Sequence, residues 1–183
     1  MDELDVSQRS MRPIVITRHA APPYRFLPPF SGQDYALLIY VAAADVSPDD
    51  QAKISEEIVA SGCRYAVCYG HRCSTWDDSI DLASIAAGKE EKGFVMTTWH
   101  EEDSLEEVVE FFWWNTAFDD FIAERMGVFF IGSNPETESE IAREIAKLNE
   151  PKKANQALEP TTMAVTSRAP SSTSRASHGR GSS

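Results

Sequence analysis

The chain contains no run of about 20 apolar residues, so nothing in it reads as a membrane-spanning helix. Its start, MDELDVSQRS, is acidic where a signal peptide is basic and then apolar, which implies no secretory leader. Cysteine is scarce: Cys63, Cys68 and Cys73 are odd in number and evenly spaced, fitting neither a disulfide framework nor the close pairs of a zinc site. A reducing compartment follows as the expectation, and with it a cytoplasmic location. Glycine-rich phosphate loops and a G-x-S-x-G nucleophile elbow are missing too.

Basic residues are in short supply, with 17 Lys+Arg against 29 Asp+Glu and a net charge of -12. The shortage is concentrated. Residues 151–183 hold five basic residues against Glu159 and so carry +4, which leaves -16 on the first 150. Such a charge repels phosphate backbones and anionic lipid, which excludes nucleic acid and membrane surfaces as partners and favours a basic protein.

What is present is material for one core, since 42% of residues are hydrophobic and 10% aromatic in a chain of single-domain length. We read a flexible N-terminus (1–11), one α/β domain (12–149) and a tail (150–183). The tail is rich in Ser, Thr, Ala and Pro, has almost no large apolar residue, and is expected to be disordered. It also resembles tails found on otherwise unrelated bacterial reading frames, which implies no selected role.

Residues 13–19 (PIVITRH) are β-branched and apolar and read as a first strand, followed by a proline-rich loop. Residues 35–43 (YALLIYVAA) form a continuous apolar run, the pattern of a strand covered on both faces. Ser47-Pro48-Asp49-Asp50 opens a helix that Gly62 closes, and Arg64–Tyr69 is the next strand. Asp77-Asp78 is read as the start of a shorter helix through Ala87, and residues 94–98 as a fourth strand. Ser104 and Glu107 match a capping box, and Leu105, Val108, Val109, Phe112 and Trp113 share one helical face. Residues 128–131 read as a last strand, and Asn134-Pro135 starts a final helix. Alternation of this kind implies a three-layer α/β fold, with a mostly parallel sheet of about five strands and helices on both faces.

In such a sheet the reactive edge lies beyond the carboxyl ends of the strands. That edge gathers His71, Arg72, Cys73, Ser74, Trp76, Asp77 and Asp78, then Trp99, His100, Glu101, Glu102 and Asp103, with Asp45 and Asn134. One chemical reading makes Cys73 a nucleophile, His100 its base, and Asp77 or Glu101 the group that orients the imidazole. Against it stands a plain reading, in which Cys73 fills space and His100 is a polar residue at a helix entry. A metal site from His71, Cys73, His100, Glu101 or Asp103 lacks any regular ligand spacing, and no metal or other cofactor is expected. The acids have an ordinary role at predicted helix starts, where the helix dipole favours them. Helix ends already neutralised in this way make poor phosphate cradles.

Trp76 and Trp99 each precede a charged cluster, so they either line a binding surface with Asp78, Glu102 and Asp103 or plug the end of the sheet. Phe111, Phe112, Trp113, Trp114, Phe118 and Phe121 are too many for one helical face. Two stretches, SGCRYAVCYGHRCSTWDDSID (61–81) and FVMTTWHEEDSLEEVVEFFWWNTAF (94–118), resemble signature segments of a family of small bacterial proteins, a domain of unknown function with WDDS and TTWHE elements. The resemblance covers residues 35–148 and implies a shared fold with no established activity. The sequence therefore favours a non-catalytic protein-binding or accessory domain with an acidic, Trp-containing edge; the alternative is a small hydrolase or transferase using Cys73 and His100.

Overall fold

In the computed structural model, the residues described are 12–89, 93–118 and 121–150. The N-terminal segment 1–11, expected to be flexible, and the tail from residue 151, expected to be disordered, lie outside the described residues. The described residues fall within one compact unit.

The chain runs β1 (Ile14–Ala20), β2 (Tyr35–Val41), α1 (Pro48–Ala60), β3 (Cys63–Gly70), α2 (Cys73–Ala86), β4 (Met96–His100) and α3 (Leu105–Trp114). A short antiparallel pair follows, β5 (Ala117–Phe118) with β6 (Phe121–Ile122), and then β7 (Arg125–Ile131) and α4 (Pro135–Asn149). Five strands form one sheet in the order β1-β7-β2-β3-β4, every pairing parallel.

The apolar run in β2 is buried at all seven positions because β2 lies centrally and both of its faces are covered. Its side chains alternate. Leu37, Ile39 and Val41 join Ile54 and Ile58 of α1 and Trp76 and Ile80 of α2, whereas Leu38 and Tyr40 join Val108, Val109 and Phe112 of α3 and Ile141 and Ile145 of α4. The fold is thus three-layered, with α1 and α2 on one face and α3 and α4 on the other. No helix joins β1 to β2. Instead the proline-rich connection sends Tyr24, Phe26 and Phe30 into the α1/α2 face. Gly127 of β7 leaves room for it: a Cβ there would lie 2.7 Å from Pro29 and 2.8 Å from Leu37.

Three helix starts follow their sequence signals. Ser47 caps α1 by accepting from the Asp50 N–H, Ser104 and Glu107 form the capping box of α3, and Asn134 caps α4 by accepting from the Thr137 N–H. The fourth does not. Helix α2 begins at Cys73, four residues before Asp77, with Arg72 at its N-cap in the left-handed region (φ 53°) and no side-chain cap. Strand β4 is shifted two residues later than 94–98, because its pairing with β3 starts at Met96 opposite Tyr65. Strand β7 starts at Arg125, three residues before the expected 128. The aromatic surplus is resolved by ending α3 at Trp114, which places Phe118 of β5 against Tyr65 and against Phe121 of β6.

Candidate functional site

The usual ligand crevice of this architecture lies between β2 and β7, since α1 leaves on one face and α4 on the other. Here it is bridged by backbone. The N–H groups of Ala42 and Ala43 both donate to Ile131 O, at 2.9 and 3.0 Å. A side chain at Gly132 (φ 85°) would meet Ala43 at 2.8 Å. The flanking polar groups are also occupied: Asp45 accepts from the Tyr24 hydroxyl at 2.8 Å, and Asn134 Nδ2 approaches the Tyr40 hydroxyl at 3.4 Å. Other exposed polar side chains of this edge lie farther along it, at the ends of β3 and β4.

There Cys73 opens α2 with its side chain buried, and burial pushes its thiol up. The group of His100 that reaches the thiol is the backbone N–H. The imidazole is engaged elsewhere. Nδ1 lies 2.6 Å from Asp103 Oδ2, the ring rests 4.7 Å from that of Phe111 on the α3 face, and Nε2 is buried without a partner. The carboxylate that orients His100 is therefore Asp103, three residues on, rather than Asp77 or Glu101. The imidazole and its carboxylate are paired on the α3 face while the Cys73 thiol is buried, so His100 does not activate Cys73 in this geometry.

Asp77 lies on the other face. It is buried on the inner side of α2, and desolvation raises its pKa against the hydrogen-bonding influence of Thr97, with Asp81 and Asp78 adding to the rise. Thr97 of β4 donates to Asp81 Oδ1 at 2.8 Å, and Asp77 Oδ1 is left without a partner. Cys63 and Cys68 are likewise free and buried, and burial takes Cys63 up to about 12. Among the described residues, no group of three or more His, Cys, Asp and Glu side chains converges as a metal site, so His71, Cys73, His100, Glu101 and Asp103 do not form one.

The two tryptophans part company. Trp76, at 2% exposure, packs in the α1/α2 core, so it plugs the sheet and does not line a surface. Trp99 is 55% exposed near the end of the edge strand. Glu101, Glu102 and Asp103 follow it, all exposed, and Asp78 is exposed on α2. His71 and Arg72 are exposed at the adjoining β3–α2 turn.

Two features had no sequence signal. One is a groove of about 310 Å³ between β1 and α4, where His19 stacks on Phe130 and lies 3.7 Å from Glu138. The other is a cavity of about 160 Å³ lined by Asp81, Ser84, Ile85 and Phe94. The groove joins segments more than 100 residues apart, and the cavity joins the end of α2 to Phe94; no motif marks either. Among the described residues, no helix is long and apolar enough to cross a membrane.

A comparison with curated proteins finds no match. The family model for a domain of unknown function, DUF7684, matches residues 15–148, from within β1 to the last turn of α4, and the chain belongs to that family.

Proposed function

We propose that this domain is a non-catalytic binding module whose acidic strand-end edge receives a basic partner protein. The observation that carries the reading is the exposure of Trp99, 55%, with the exposed Glu101, Glu102 and Asp103 following after His100. A large ring held in water by a rigid strand suits an anchoring contact, and the surrounding carboxylates suit steering and selection of a cationic surface. The charge of -16 on the first 150 residues favours the same kind of partner and disfavours nucleic acid and anionic membrane. The composition also supports a cytoplasmic location. The alternative, acyl or group transfer at Cys73 with His100, has less support because the thiol is buried and the imidazole is committed to Asp103.

The test is affinity capture with the full chain, comparing wild type with Trp99→Ala and with Glu101→Gln/Glu102→Gln. Basic proteins retained by the wild type are expected to be lost from both variants and to elute as salt is raised. An unchanged set of captured proteins would overturn the reading.

A further inference from the structure

Strand β4 is the end of the sheet, with β3 as its neighbour among the described residues, so alternate backbone N–H and C=O groups on its outer side are free to pair. Edge strands are commonly protected by charged residues or proline, and MTTWH has no Lys, Arg, Asp, Glu or Pro, while its His100 is buried. Three of the seven exposed large apolar side chains among the described residues, Ile85, Phe94 and Trp99, stand beside this edge. Thr97 reaches Asp81 of α2, and Trp99 shares its side of the strand, so both project toward the α2 face. The 160 Å³ cavity opens on that flank of α2, closed on its other side by Phe94, two residues before β4.

The lining of that cavity is chemically selective. Ile85 and Phe94 supply apolar walls, Asp81 supplies a carboxylate, and Ser84, 3% exposed, contributes a hydroxyl with no partner. An apolar stem ending in a cation satisfies all four. We propose that an extended, lysine-bearing segment of the partner adds to β4 as a sixth strand and inserts one lysine between Asp81 and Ser84. The inference rests on the binding reading above and specifies its mode. Main-chain pairing supplies the general attraction, and the pocket reads one side chain. The next residue on the same face, two positions along the added strand, reaches toward Trp99. A second copy of this chain fits less well, because pairing two such edges would bring two domains of charge -16 together.

The probe is the capped peptide Thr-Val-Thr-Lys-Thr-Val-Thr, titrated into the full chain by calorimetry, with hydrogen exchange followed at each β4 amide. Binding is expected to slow exchange in β4. Replacing the lysine by norleucine, or making Asp81→Asn or Ser84→Ala in the protein, is expected to weaken binding at least tenfold. N-methylation of alternate peptide amides in one of the two registers is expected to abolish it. Equal affinity for both N-methylated peptides, no slowing in β4, or no binding at millimolar peptide would overturn strand addition. If Trp99→Ala still abolished capture of basic proteins, the binding reading would survive that failure. Sedimentation as a dimer that Phe94→Lys dissociates would assign the edge to a second copy and overturn the proposal.

Discussion

The two edges of the sheet are built on opposite plans. Strand β1 is seven residues long, follows Pro13, and carries Arg18 and His19, with Arg18 donating back to the Thr17 carbonyl. Strand β4 is five residues long, has no such guard, and carries an exposed tryptophan one residue before its end, with acids after the strand. Both edges rest on the same central strands, so the contrast is one of surface chemistry and not of support. A guarded edge keeps other chains from pairing with it, and an unguarded edge beside a selective cavity admits one kind of chain.

That shared support can be broken first. Leu38, fully buried in β2, fills the α3/α4 face, and Leu38→Ala is expected to cost roughly 2–5 kcal/mol. Urea unfolding should register the loss, and exchange protection should fall at both edges together. A loss of protection confined to one edge would show that the two are not coupled through β2. Next in size is Ser104→Ala. It removes the capping box of α3, which backs β4 through the His100–Phe111 contact, at a cost of about 1 kcal/mol. A change in unfolding midpoint with unchanged slope is the expected record.

Behind β4 sits Asp77, and its effect depends on pH. Its pKa in the folded chain is raised, so the folded state binds the proton more tightly than the unfolded state does. Stability from this group is therefore present below the ordinary carboxylate value of about 3.9 and is lost as pH rises through the folded value. Asp77→Asn cannot titrate, so its stability relative to wild type should improve between pH 4 and pH 7. A difference that is the same at both pH values would show that burial does not strain this carboxyl. The smallest effect on stability is expected at the edges themselves, where Trp99→Ala and Arg18→Ala should each change unfolding by no more than about 0.5 kcal/mol. Their separation is functional: Trp99→Ala removes binding at β4, and Arg18→Ala leaves it intact. Equal loss of binding in both would erase the contrast between the edges.

The architecture was legible where one local rule dominates. Continuous burial in β2, the serine caps at 47 and 104, and the asparagine cap at 134 are readable because the residues that make the signal also make the contact. The start of α2 was not, because Arg72 takes a left-handed conformation with no capping side chain while Asp77-Asp78 imitate a first turn. That error placed Cys73, Ser74 and Trp76 in a loop when they belong to a helix. The position of β1 beside β7 was hidden for a different reason, since their pairing joins segments more than 100 residues apart. At the site, the acids after β4 could be read from their order in the chain. The direction of each ring, the His100–Asp103 pairing and the unpartnered Ser84 are set by packing across elements and have no one-dimensional signature.

The three cysteines give the molecule an internal clock. Cys63, Cys68 and Cys73 are each at most 1% exposed, and burial holds their thiols protonated. An alkylating reagent added to the native chain therefore has no thiolate within reach until the sheet opens. Mass added at these sulfurs with time would count opening events one molecule at a time, and the order in which the three are modified would trace how the α1/α2 side of the domain comes apart.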